Sequence, residues 1–204
     1  MINNTDYKGH IDAIIERTFK RLQQAYDNHQ EGKTFSTAES RIVFPIYSEH
    51  TNDADKLRIS EQELRFVFVE TFNIYCDENN LPLFYSVETP TRETYSGFTQ
   101  GNEPKLDAKG RSGEFDLVLL NKEGKRIALI EFKANNASAH AHKKDFVKLN
   151  NEMVEGDCLA YLIEVVRNYD AQTIKSLREK TITASNGASF VCYSLEKKEI
   201  VTIK

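Results

Sequence analysis

No run of apolar residues in this 204-residue chain approaches the ~20 that a membrane-spanning helix needs, which argues against a membrane protein. The opening segment, Met1 to His10, is polar and lacks the basic-then-apolar layout of a secretory signal, so the protein is expected to stay where it is made, in the cytosol. Cysteine is scarce. Cys76, Cys158 and Cys192 lie far apart in apolar segments, with neither CxxC nor Cys/His ligand spacing, and read as reduced core residues. There is no internal repeat and no low-complexity tract. A large positive charge is also missing. The net charge of −4 counts against a protein that coats nucleic acid, because affinity for phosphates comes from lysine and arginine. A basic rim is still compatible with it, since basic residues cluster at Lys105, Lys109 and Arg111, at Lys122, Lys125 and Arg126, and at Lys143, Lys144 and Lys148. Each cluster reads equally well as a solvated face.

What is present fits one globular domain, with an appended helical segment at its start. Ile11, Ile14, Ile15, Phe19, Leu22 and Ala25 recur at helical spacing and predict an amphipathic helix over residues 11 to 28. A loop is expected at 28–37 and a short helix interrupted by Pro45 over 38–47. Leu64, Val67, Phe68, Thr71, Phe72 and Tyr75 predict a second helix from Glu61 to Tyr75, and Ser60 with Glu63 forms the S-x-x-E capping box of a helix start. Strands are expected at Phe84 to Thr91, Glu114 to Leu120 and Arg126 to Ala134, the last two joined by a turn through Gly124. The polar, glycine-bearing stretch from Arg92 to Gly113 reads as a long loop. Helices at Ala139 to Glu155 and Ala171 to Lys180 then alternate with strands at Cys158 to Val166, Ser189 to Ser194 and Ile200 to Ile203. That order predicts an α/β fold with a central mixed β-sheet flanked by helices.

Charged residues interrupt two of these strands. The segments around Asp116 and from Ile127 to Ala134 are otherwise apolar, as expected of buried central strands, and a carboxylate buried there must be paired, hydrogen-bonded or bound to a metal. Side-chain alternation puts Glu131 and Lys133 on one face, and a hairpin through Gly124 brings Asp116 alongside. The plainer alternative is a cross-strand ion pair on an exposed sheet face, but the flanking apolar residues speak against exposure. Two carboxylates close together suit a hard cation such as Mg²⁺ or Mn²⁺, which polarises a phosphodiester and lowers the pKa of a bound water. A neighbouring lysine orients or deprotonates that water, or neutralises charge in the transition state.

Asp116, followed fifteen positions later by Glu131-Phe132-Lys133, resembles the D…(D/E)xK signature of the PD-(D/E)xK nuclease superfamily, over roughly residues 60 to 166. Phe115 stands where the proline of the family name would be. The resemblance implies a restriction-endonuclease-like core over 51–204, with residues 1–50 as an N-terminal helical segment packed on it. It implies metal binding by Asp116, Glu131 and the Phe132 carbonyl, a water-directing role for Lys133, and a further acid from the preceding helix, for which Glu63 is the matching position. Lys144, Lys148 and Arg111 are the expected contacts to the substrate backbone. The implied activity is Mg²⁺- or Mn²⁺-dependent hydrolysis of nucleic acid, with DNA the first expectation; a nuclease-fold binding or assembly module that no longer cuts is the alternative. Cutting both strands of a duplex with one site per chain would call for a homodimer.

Other acids and bases have two readings each. Glu88 either joins the site or is exposed near Pro90, and Glu114 shares the face of Asp116 as an outer ligand or a solvent contact. For Glu63 the capping box with Ser60 is a sufficient structural role. His140 and His142 diverge by about 200° around a helix and read as surface residues or phosphate contacts rather than a metal pair. Asp145 and Lys148 have the spacing of an ordinary i, i+3 ion pair.

Overall fold

The computed structural model describes residues 4–30, 41–45, 57–97, 104–135, 137–153, 158–168, 170–181 and 187–201. Among these residues the fold is α/β, with four helices around one seven-stranded mixed sheet. In chain order come α1 (Asn4–Gln30), α2 (Glu61–Asn79), β1 (Leu83–Ser96), β2 (Lys105–Leu106), β3 (Arg111–Asn121), β4 (Arg126–Ala134), α3 (Ala139–Glu152), β5 (Leu159–Val166), α4 (Ala171–Thr181), β6 (Ser189–Ser194) and β7 (Glu199–Ile200). The strands lie in the order β2-β1-β3-β4-β5-β6-β7. Pairing is antiparallel from β2 to β4, parallel for β4, β5 and β6, and antiparallel again at β7.

Strand alternation divides the apolar residues between two faces. On one face Ile130, Phe132, Ile163 and Val165 meet Ile11, Ile14 and Phe19 of α1 and Leu64, Phe68 and Phe72 of α2. On the other, Leu129, Ala160 and Leu162 meet Phe146 and Leu149 of α3. This covering of both faces is why β4 is buried along nearly its whole length. Phe68 packs edge-to-face on Phe132, ring centroids 5.4 Å apart, and Phe19 stacks on Tyr193 at 4.9 Å. α1 therefore shares the sheet's own core. No helix among the described residues is long and apolar enough to cross a membrane.

Three expectations about the chain need correction. Of the short helix expected over 38–47, only 41–45 is described, and it is not helical: the Pro45 carbonyl instead accepts a hydrogen bond from the Arg58 amide at 2.7 Å, and Phe44 is buried. The stretch from Arg92 to Gly113 is not one long loop, because β1 runs on to Ser96 and β3 begins at Arg111, paired through Thr94↔Ser112 and Tyr95↔Arg111. Those polar strand ends are stabilised from outside. The Glu152 carboxylate, at the end of α3, accepts the amides of Arg92 at 2.9 Å and Glu93 at 2.6 Å where β1 changes register. His142, expected at the surface, is fully buried against Glu164. The turn before β4 is as expected, with Gly124 at φ 75°, a conformation glycine adopts freely.

None of the cysteines is in a disulfide. Phe68→Ala removes an aromatic ring that touches both α2 and β4, and should cost about 3–5 kcal/mol of unfolding free energy, read by chemical denaturation. A loss below about 1 kcal/mol would mean that this contact does not fix α2 on the sheet. Burial pushes the Cys76 thiol up to about 11, with the nearby Asp77 charge acting in the same direction. A raised thiol pKa leaves the thiolate scarce at pH about 8.5, where an unperturbed cysteine is half ionised. Cys76 should therefore resist alkylation in the native protein at that pH and react as pH rises toward 11; mass mapping of the alkylated peptides checks it.

Candidate functional site

The sheet forks between β3 and β4. Their antiparallel ladder reaches Leu117↔Ile130 and stops, while β3 continues beside β1 as far as Arg111 and β4 continues beside β5 as far as Ala134. On the side facing β3, the Phe132 amide donates to Asp116 Oδ2 at 2.8 Å, so a side chain replaces the missing strand partner. Arg65 of α2 holds the other edge of the fork. Its guanidinium pairs with Glu88 of β1 and lies 3.5 Å from the Asp116 carbonyl. A cleft of about 640 Å³ opens at this point, lined by Asp116, Glu131 and Lys133 together with Glu61 from α2, Glu88 and Glu114 from β1 and β3, and Asp145 and Lys148 from α3.

Helix α3 supplies half of this chemistry because its buried face is polar. His142, Asp145, Lys148 and Glu152 recur at three- and four-residue spacing and are all buried. Both ends of the stripe are fixed. His142 Nε2 lies 2.7 Å from Glu164 on β5, and Glu152 holds the β1 amides as well as Arg126 at 3.3 Å. Asp145 and Lys148, between these anchors, are carried into the cleft.

Two ammoniums then organise the carboxylates. Lys133 Nζ lies 2.6 Å from Asp145 Oδ2, 2.9 Å from the Phe132 carbonyl and 3.7 Å from Glu61. Lys148 Nζ pairs with Glu131 Oε1, and lies 3.0 Å from Asp145 Oδ1 and 2.8 Å from the Glu114 carbonyl. Burial alone would lower both lysines, yet Asp145, Glu61 and Glu131 around Lys133, and Glu131 and Asp145 around Lys148, hold both above the ordinary lysine value. The acids divide. Burial, then the charges of Asp145 and Asp116, push Glu131 well above the ordinary carboxylate value despite Lys148. Burial would raise Asp145 too, but its place between two ammoniums holds it below the usual range. Glu61 is raised by burial and by Asp116 and Asp145, with Lys133 opposing.

Asp116, Glu131 and Lys133 are thus brought together, and the Phe132 carbonyl sits among them as an acceptor of the Lys133 ammonium. Glu63 is not part of the cleft wall. Its Oε2 accepts both the amide of Ser60, at 2.8 Å, and the Ser60 hydroxyl, and the acid that α2 sends to the site is Glu61. Two residues apart on a helix means roughly 200° of rotation, so only one of the two can face Lys133. Lys148 is not at the rim; it is buried beneath it on Glu131. Lys144 and His140 do line the cleft, whereas Arg111 is exposed at the start of β3, outside the wall.

Among the described residues no group of three acidic, histidine or cysteine side chains is arranged to hold a metal ion. The two ammoniums stand among the acids in this arrangement. The donor set nevertheless fits a hard divalent cation. It consists of oxygen atoms throughout, and four carboxylates, Glu61, Asp116, Glu131 and Asp145, face only Lys133 and Lys148 among the groups whose charges act on Glu131 and Glu61. No protein-family model, curated protein or solved structure matches this chain.

The two glutamates on the first turn of α2 are separable by experiment. Glu63→Ala should lower unfolding free energy by about 1 kcal/mol, as loss of a cap does, and leave the heat of Mn²⁺ binding unchanged. Glu61→Gln should leave stability nearly unchanged and weaken Mn²⁺ binding. The reverse pattern would return the site acid to Glu63.

Proposed function

We propose that this protein is a divalent-metal-dependent nuclease that hydrolyses phosphodiester bonds of nucleic acid, with DNA as the expected substrate. The reading follows from the likeness of Asp116 and Glu131-Phe132-Lys133 to the PD-(D/E)xK signature. One observation carries it: residues on two strands that cease to pair converge on a single acidic cleft, with Asp116 bonded to the backbone beside Glu131 and Lys133.

In this reading Asp116, Glu131 and the Phe132 carbonyl would hold Mg²⁺ or Mn²⁺, and Glu61 would take the part expected of Glu63. Such a cation, when bound, would supply Lewis acidity and water activation. The chain's own groups set the rest. Lys133, paired with Asp145 and Glu61, acts as a cation toward the developing negative charge and as a hydrogen-bond donor to the attacking water. The Phe132 amide holds Asp116 in place in the cleft wall through Oδ2. His140 on the first turn of α3 and Lys144 on the second are positioned to meet a phosphate backbone entering the cleft.

A second reading has its own support. Glu131 and Lys133 are each paired with α3, so the network is compatible with a nuclease-fold module that binds without cutting. Purified protein incubated with single- and double-stranded DNA and RNA separates the two. Cleavage should require Mg²⁺ or Mn²⁺, cease on chelation, and fall by on the order of a hundredfold or more in Asp116→Ala and in Lys133→Ala. Cleavage unchanged in both variants would remove the site assignment, and binding without cleavage of any substrate would favour the second reading.

A further inference from the structure

Lys148 lies outside the Asp116, Glu131 and Lys133 signature, yet it makes the most direct contact with one of the signature's acids. Its side chain is 4% exposed and that of Glu131 is 3% exposed, and the two are paired in the lining of the cleft. We propose that Lys148 is an internal counter-ion that holds Glu131 in the metal-free protein and competes with a divalent cation for that carboxylate. The proposal rests on the reading of this cleft as a metal site.

Three features of the structure support it. Lys148 has two other partners, Asp145 at 3.0 Å and the Glu114 carbonyl at 2.8 Å, so its ammonium is not stranded when it leaves Glu131. A cation and an ammonium on one buried carboxylate repel each other where little water screens them, so the two do not share it on equal terms. The helix that carries Lys148 is held at both ends by groups that do not involve it, His142 with Glu164 and Glu152 with the Arg92 and Glu93 amides. The side chain can therefore change partner while α3 stays in place. In the proposed role Lys148 keeps Glu131 from standing alone, and an acid left alone at this depth is strongly destabilising.

The competition predicts an effect opposite to that of losing a structural residue. Mn²⁺ binding is measured by calorimetry, with thermal unfolding at several Mn²⁺ concentrations, on the wild type, Lys148→Met and Lys148→Gln. Lys148→Met leaves Glu131 without a partner, and Lys148→Gln retains a hydrogen-bond donor without the charge. Both variants should be less stable without metal. Both should bind Mn²⁺ roughly tenfold or more tightly than the wild type, and gain more in melting temperature from it. Equal or weaker binding by the folded variants, beside a wild type that binds, would overturn the competition and leave the metal site standing. No Mn²⁺ binding by any of the three would overturn both.

Discussion

A strand that loses its neighbour in the middle of a sheet leaves backbone groups to satisfy, and the separation of β3 from β4 beyond Leu117 and Ile130 is the constraint on which this molecule's cleft depends. Asp116 answers it with a carboxylate on the Phe132 amide. That single bond does two things. It fills the gap in the ladder, and it places an acid within reach of the Glu131 and Lys133 side chains on the adjoining strand. Arg65 steadies the β1 and β3 side of the gap, and α3 spans from β1 to β5 with its ends tied down. The fold is tied by side-chain contacts on both sides of an opening that it does not close.

The opening is filled with charge, and the proposed function turns on the balance of that charge. A buried ion pair contributes little net stability, because the desolvation of both partners offsets most of their attraction, while removal of one partner alone costs about 3–5 kcal/mol. Asp145 between Lys133 and Lys148, and Glu131 against Lys148, are therefore mutually dependent rather than individually stabilising. Burial and neighbouring acids raise Glu131 and Glu61 together, which marks a place where positive charge is in short supply. In the proposed function a divalent cation would meet that shortage, with oxygen ligands already gathered.

How far this was legible from the sequence differs by residue. Strands β3, β4, β5 and β6 were readable because short apolar runs bounded by polar and turn-forming residues are the pattern of buried strands, and Asp116, Glu131 and Lys133 stood out as charges in that apolar setting. The polar ends of β1 and β3 were not, since β1 is held there by Glu152, sixty residues from Arg92, and β3 pairs with β1. The two-residue strand β2 carries too little pattern to see, while the strand expected at Ile200 to Ile203 meets β7 at Ile200, its residues 202 and 203 lying outside the described ones. Glu61 was hidden by its neighbour: Ser60 and Glu63 announce a helix start, and nothing local says which glutamate the helix then turns toward Lys133. Asp145 and Lys148 do form the i, i+3 pair that their spacing suggests, but such pairs are usually solvated, and only the packing of α3 on the sheet makes this one buried. The signal that was available is the stripe itself. His142, Asp145, Lys148 and Glu152 share a helical face that Phe146 and Leu149 flank, which is the mark of a helix with a charged interior side.

The claim that the fork in the sheet is a divalent-metal site is tested most directly by a crystal grown with Mn²⁺ and its anomalous difference map. One strong peak is expected in the cleft, within coordination distance of Asp116 and Glu131, with the Lys148 ammonium moved off Glu131 and still on Asp145. A map without a peak there, with Lys148 still paired to Glu131 at saturating Mn²⁺, would contradict the claim.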